Sequence, residues 1–358
     1  MIYENLKQKF SGKTIAITGN TGFKGSWLSL WLKDLGAKVY GFSNQDKHNN
    51  KLFSLANIEN EYETTFGDVA SLELVKSWIN RVQPDLVFHF AAEAVVARAQ
   101  TNPQKTFNTN TLGTVNVLEA VGLLEKDVDV VISTTDKVYR NQEEGRPFCE
   151  ASELGGNEPY SASKVCAEIA ANSYRHSFMQ KKSSQLGIKK VVTVRAGNVI
   201  GGGDWSPYRL VSSCVDACTF NTPLTLRSPE SIRPWQHVLD AIYGYLIIAA
   251  AMRDGVAMDE AYNLGPVEND FLKVKQFAEC FVKNWGATGV SIETSTSPFT
   301  EAGILVLDST LVREKLKWMP SYDVATSIQK TVDWFKALES GQDAKSLMRS
   351  DLTCYQQL

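Results

Sequence analysis

Five short apolar, β-branched runs recur between residues 13 and 195: Lys13–Thr18, Lys38–Phe42, Asp85–Phe90, Asp129–Ser133 and Lys190–Arg195. Their apolar residues are not confined to alternate positions, so both faces of each strand must be covered. The intervening stretches Gly25–Leu35, Thr109–Leu124 and Ser161–Phe178 have helical length and periodicity. Buried strands alternating with helices demand a parallel sheet with helices on both sides. The pattern therefore predicts an α/β chain built on a doubly wound parallel sheet.

After Asn198 the rhythm breaks. Gly201–Asp204 and then Pro207, Pro223, Pro229 and Pro234 cut the chain into short pieces. Residues 1–200, with returns from about 237–266, are assigned to a dinucleotide-binding domain. Residues 201–236 and 267–340 are assigned mostly to a smaller C-terminal substrate lobe, and 341–358 to a C-terminal tail. Tyr262–Gly265 is expected to rejoin the main sheet.

Gly19, Gly22 and Gly25 form Gly-Asn-Thr-Gly-Phe-Lys-Gly between the first strand and its helix. Glycines at that point permit a tight turn and let backbone N–H groups approach a pyrophosphate at a helix N-terminus. Strand before and helix after make this a dinucleotide loop of the Rossmann type rather than a bland turn. Asp46, Ser43 or Asn44, after the second strand, are candidates for the adenosine ribose. No Arg stands between Val39 and Asn60 to hold a 2′-phosphate, which favours NAD over NADP. Asp68, in Gly67-Asp68-Val69, is either an adenine contact or a turn residue before a helix.

Tyr160 and Lys164 stand four residues apart, on one face of a helix that starts after Gly155, Gly156 and Pro159. Such a pair supports alcohol oxidation. A phenol of pKa about 10 must be brought to about 7, which takes roughly 4 kcal/mol of preferential phenolate stabilisation. Lys164 and an oxidised nicotinamide ring would supply it. Thr135, Asp136 and Lys137 follow the strand Asp129–Ser133, where an open parallel sheet forms its ligand crevice. Thr135 would bond a reacting sugar oxygen beside an acid and a base on one loop; the bland alternative is an exposed ion pair at a strand end.

Across nearly the whole chain these segments resemble the extended short-chain dehydrogenase/reductase superfamily, and more narrowly the CDP-glucose 4,6-dehydratases. The resemblance is carried by Gly19–Trp31, His89–Ala92, Thr135–Lys137, Pro159–Lys164, Arg195–Trp205, Ile232–Leu239 and Asn263–Pro266. It implies an internal redox cycle. Tyr160, with Lys164, would help oxidise the sugar C4 hydroxyl as hydride passes to NAD, and the new ketone would acidify C5. Lys137 would be the base at C5, Asp136 the acid releasing the C6 hydroxyl as water, and Thr135 the anchor of the C4 oxygen. Hydride returning to C6 would give a CDP-4-keto-6-deoxyglucose. Cofactor contacts are implied at Gly19, Thr21, Gly22, Phe23, Lys24, Gly25, Asp68, Val69, Ala91 and Ala92, besides Tyr160 and Lys164. Nucleotide contacts are implied at Asn198, Arg209, Arg233 and His237, and a homodimer through the helices near Thr109–Leu124 and Ser161–Phe178.

Two loops depart from the family pattern. Glu93–Ala97, with Arg98 one place late, replaces Gln-Pro-Leu-Val-Arg. Asn141–Arg146 lacks the family's tryptophan. Both are expected to face the active site. Trp235 and His89 read as packing residues. Alternatives on the same scaffold are an epimerase or reductase, from which Asp136-Lys137 discriminates, and a non-catalytic NAD-binding protein, which would not require an activated phenol.

Composition narrows the partners. With 358 residues, 43% of them hydrophobic, the chain can bury a large core, and a net charge of −3 argues against a nucleic-acid grip. No apolar run is long enough to span a bilayer; the longest, Ala241–Met252, is interrupted by Tyr243, Gly244 and Tyr245. The N-terminus lacks an apolar signal stretch, and the cysteines are scattered without a zinc set. These features point to a cytoplasmic enzyme with reduced thiols, no metal and no membrane partner.

Overall fold

The structure is a computed structural model and describes residues 2–45, 51–179, 187–256, 258–267, 270–295 and 302–358. Asp46 lies outside the described residues. The strands, in chain order, are β1 (Thr14–Thr18), β2 (Lys38–Ser43), β3 (Glu63–Phe66), β4 (Leu86–His89), β5 (Val128–Ser133) and β6 (Lys189–Ala196). Four short ones follow: β7 (Asn198–Ile200), β8 (Leu224–Leu226), β9 (Ile232–Arg233) and β10 (Trp235–His237). Then come β11 (Ala261–Leu264), β12 (Leu272–Lys273) and β13 (Ile292–Thr294).

Seven of these form one sheet in the order β11-β6-β5-β4-β1-β2-β3. Every pairing in it is parallel, as the apolar runs require. Strand order reverses between β1 and β4, and the carboxyl ends at such a switch point open into a ligand crevice. β11 rejoins the sheet against β6, with Tyr262 opposite Val194.

Each face of the sheet has its own helical cover. On one side Ile15, Ile17 and Phe88 meet Trp27, Leu28 and Trp31 of the helix Phe23–Asp34 and the apolar helix Val238–Arg253. On the other side Val75, Trp78, Ile79 and Val82 recur at helical spacing along Leu72–Val82 and pack with Val117, Leu118 and Val121. The expected helices at 109–124 and 161–178 are present, but each contains a wide π turn, at Asn108–Leu112 and Arg175–Met179. No periodicity argument anticipates such turns.

Beyond β6 the chain builds smaller pairs above the carboxyl edge: β7 with β10, β9 with β12, and β8 with β13. The last helix, Ala344–Gln356, is docked rather than loose. Lys345 pairs with Glu61 at 2.7 Å, Arg349 with Asp34 at 3.1 Å, and the Tyr355 hydroxyl donates to Asp240 at 2.7 Å. No helix among the described residues is long and apolar enough to cross a membrane.

Candidate active site

Two adjoining cavities open at the carboxyl ends of the strands. The smaller, about 130 Å³, lies over the loop after β1. Gly19, Thr21, Gly22, Phe23, Lys24 and Gly25 line it from that loop, Asp68 and Val69 from beyond β3, and Ala91 and Ala92 from beyond β4. All the cofactor candidates outside the Tyr–Lys pair are thus brought together. Gly19 turns with φ +72°, and a Cβ there would fall 2.6 Å from the Ala91 nitrogen. A Cβ on Gly25 would fall 2.1 Å from the Gly19 carbonyl oxygen. Gly22 is different: its nearest neighbour would be 3.4 Å away, so the protein leaves it room for a side chain. That side chain would fill the cradle instead. Ser43 and Asn44 line the same cavity, with the Thr21 and Ser43 hydroxyls 2.7 Å apart. Asp68 is exposed and accepts from the Ala70 N–H at 2.9 Å, so it is a turn residue as well as a lining one. The glycine cradle, the helix N-terminus and the hydroxyl pair suit a dinucleotide.

The larger cavity, about 300 Å³, holds Thr135, Asp136, Lys137, Tyr160 and Lys164 on its sheet side. Thr135 caps a short 3₁₀ turn over Asp136–Val138, and its hydroxyl donates to Asp136 Oδ1 at 2.9 Å. Asp136 is only 2% exposed, whereas Lys137 is 30% exposed with its Nζ 3.8 Å from the same oxygen. The expected ion pair is therefore half-sunk in a cavity wall.

Tyr160 and Lys164 lie in the first turns of the helix Pro159–Tyr174. Glu158 fixes its start by accepting from the Tyr160 and Ser161 N–H groups at 2.7 Å each. Lys164 Nζ donates to the Ser133 carbonyl at 2.9 Å. Burial lowers its ammonium to about 8, with Glu168 pulling upward. The phenol of Tyr160 does not start out depressed. Burial pushes it up to about 12; a hydrogen bond with Thr135 opposes this, and the Asp136 charge adds to it. The chain's own groups leave the phenol protonated because the desolvation of a phenolate outweighs them.

Lys24 links the two cavities. Its Nζ donates to the Ser133 hydroxyl at 3.0 Å and lies 5.4 Å from the Phe90 and Tyr245 ring centroids. Burial and then the nearby Lys164 and Arg209 charges lower it to about 7.

On the lobe side Asn198, Arg209 and Arg233 line the cavity, joined by Asp204, Tyr208 and Arg227, which the sequence did not single out. His237 does not join them. It is buried, its Nδ1 accepts from the Leu239 N–H at 3.3 Å, and its ring meets Tyr322 edge-on, so it caps a helix inside the core. Trp235 lines the cavity yet packs on Phe277, with centroids 4.4 Å apart. His89 is satisfied by the Thr18 and Thr114 hydroxyls, as expected.

The divergent loops resolve differently. Ala94, Val95, Val96 and Ala97 do line the larger cavity, while Glu93 is buried and holds Arg98 at 3.2 Å. Residues 141–146 do not line it. Asn141 donates to the Ile304 carbonyl and Glu143 accepts from the Gly303 and Ile304 N–H groups, which carries that loop away to the segment 303–304.

Beneath the site lies a network that motif reading missed. Glu168 accepts from Thr134 Oγ1 at 2.5 Å, from Thr193 Oγ1 at 2.7 Å and from both Nε and Nη2 of Arg195. Arg195 also donates to the Tyr139 hydroxyl at 3.0 Å. Glu168 is one helical turn past Lys164, which is the signal that could have found it. Asn110, within the π turn, donates to Ser163 Oγ and the Glu93 carbonyl and accepts from the Glu93 N–H.

A parallel sheet with a glycine cradle at its switch point and a Tyr–Lys pair beside it defines a short-chain dehydrogenase/reductase architecture. The chain belongs to the GDP-mannose 4,6 dehydratase family, whose model matches residues 16–331. It is similar to a CDP-glucose 4,6-dehydratase of Salmonella typhimurium, 35% identical over 98% of each chain. Its fold is shared with a dTDP-glucose 4,6-dehydratase of Bacillus anthracis in complex with NAD (TM-score 0.73, 24% identity, 93% and 99% of the two chains). It is shared as well with a UDP-glucose 4-epimerase of Thermotoga maritima with UDP-glucose (TM-score 0.77, 20% identity, 91% and 99%).

Proposed function

We propose that this chain is an NAD-dependent sugar-nucleotide 4,6-dehydratase that converts CDP-glucose to CDP-4-keto-6-deoxyglucose. The observation that carries the reading is the meeting of Thr135, Asp136, Lys137, Tyr160 and Lys164 on one wall of one cavity. An epimerase needs the Tyr–Lys pair but has no use for an acid and a base beyond it. The choice of CDP rests on the 35% identity to the Salmonella typhimurium enzyme over nearly its whole length.

Bound NAD, held at the loop Gly19–Gly25, would accept hydride from C4, return it to C6 and bring a positively charged ring to the site. Tyr160 takes the C4 hydroxyl proton, and Lys164, anchored on Ser133, holds positive charge near the developing phenolate. Thr135 bonds the C4 oxygen. A proton passed within the pair from Lys137 Nζ to Asp136 makes Lys137 an amine and Asp136 an acid. Lys137 then removes the C5 proton once C4 is a ketone, and Asp136, shielded from water, protonates the departing C6 oxygen. Asn198, Arg209 and Arg233 hold the nucleotide diphosphate, since guanidinium forks match phosphate oxygens. Residues 201–236 and 267–340 then act as the substrate lobe.

The deciding experiment is isotopic. Deuterium at C4 of CDP-glucose should appear in the methyl group of the product, because the same hydride leaves and returns. A product without it, or one with its C6 hydroxyl intact, rules the reading out.

The cofactor loop has its own test. Gly25→Ala should destabilise the fold by about 1–3 kcal/mol, because its Cβ meets backbone that cannot yield. Gly22→Ala should keep the melting temperature and lose NAD affinity, since its methyl group enters the cradle. Unchanged NAD binding in Gly22→Ala would remove the pyrophosphate from this loop.

Leu112, Ile169 and Phe178 are exposed apolar residues on the helices 103–122 and 159–179 and support a homodimer. Light scattering should give twice the chain mass at micromolar concentration, and a monomer mass would refute it. Free cysteines at 149, 166, 214, 218, 280 and 354 suit a cytoplasmic setting.

A further inference from the structure

Tyr208 stands at the rim of the larger cavity in a conformation that its own chain does not reward. Its φ is +67°, in the left-handed region. It is the only aromatic among the described non-glycine residues with positive φ. A bulky residue there is a genuine outlier, and such outliers persist where the surroundings enforce them and function uses them. The residue is 62% exposed, so burial does not offset the backbone cost.

The surroundings do enforce it. Arg227 Nη2 donates to the Tyr208 carbonyl at 3.1 Å. Asp204, nearly fully buried, accepts from the Ser206 N–H at 3.1 Å and from Arg209 Nη1 at 3.1 Å, so it pins both flanks of the turn. Pro207 fixes the entry into it. The result is an aromatic ring held by its backbone at a cavity rim, with Arg209, Arg227 and Arg233 lining the same cavity. A ligand that satisfies this set is both anionic and planar.

We propose that Tyr208 is the stacking platform for the base of a bound nucleoside diphosphate. This inference rests on the nucleotide-sugar reading above and adds a residue that selects for the presence of a base rather than for the phosphates. Stacking between a base and an aromatic side chain works through the ring face and needs no hydroxyl.

The test is binding to the purified full-length protein by calorimetry, with CDP and inorganic pyrophosphate as probes and UDP and dTDP alongside. Tyr208→Gly removes the ring and suits the left-handed backbone, so it should fold at least as well as the parent. It should bind CDP about ten-fold more weakly, with pyrophosphate affinity unchanged. Tyr208→Phe should bind CDP within about two-fold of the parent. The proposal is overturned if Tyr208→Gly binds CDP as the parent does, if it loses CDP and pyrophosphate alike, or if Tyr208→Phe is as impaired as Tyr208→Gly. Should the unmodified protein bind none of the three nucleotides, the nucleotide-sugar reading itself fails and takes this proposal with it. Failure of the stacking role alone leaves parent binding intact.

Discussion

Lys137→Ala is expected to oxidise C4 and then stall, with water loss slowed by about 10²–10⁴-fold, the usual contribution of a positioned acid or base. The geometry separates the two steps. Tyr160 and Lys164 sit on one helix and answer to Thr135 and Ser133, whereas the Lys137 amine reaches the cavity from the 3₁₀ turn, 3.8 Å from Asp136 Oδ1. Removing its amine leaves Tyr160, Lys164 and the Thr135 hydroxyl in place. Mass spectrometry should find sugar nucleotide that has lost two hydrogens but no water, and solvent deuterium should no longer enter C5. Lys137→Met, which keeps the stem, should behave alike. Dehydration at the parent rate in either variant would show that another group removes the C5 proton.

Tyr160→Phe should fail earlier. The ring stays to fill its buried place, and only the hydroxyl bonded to Thr135 is lost, so the fold and nucleotide affinity should hold while turnover drops about 10²–10⁴-fold. No C4 ketone should form. A spectroscopic titration adds an independent readout. In the protein alone this phenol should ionise near 12 because burial raises it. NAD should shift its ionisation downward, since an opposite charge nearby favours the phenolate. Turnover within a few-fold of the parent would assign the proton transfer elsewhere.

Much of this architecture could be read before the structure, for reasons that are local. The strands at Lys13–Thr18 and Asp129–Ser133 announce themselves because a parallel strand buries both faces. Gly19 and Gly25 sit where no Cβ fits, and Tyr160 and Lys164 share a face by helical spacing alone. What failed depended on contacts between distant segments. His237 lies in a strongly matching segment, yet its ring turns inward to cap the helix starting at Val238. The loop 141–146 follows the 3₁₀ turn Asp136–Val138 in sequence but is drawn off by the amides of Gly303 and Ile304. Arg98 looked misplaced by one residue, and its charge is held by Glu93, leaving an apolar stretch at Ala94–Ala97. Tyr208 could not have been found, because a residue's backbone hand is not written in its side chain.

The carboxylate of Glu168 ties the helix bearing Tyr160 and Lys164 to the strand end that leads into Thr135, Asp136 and Lys137. With the roles proposed for these residues, oxidation and elimination, chemically separate events, share one mechanical pin. Damage there would disable both halves of the reaction together. Substitutions that alter sugar preference are then expected to be tolerated on the cavity's far wall rather than at that joint.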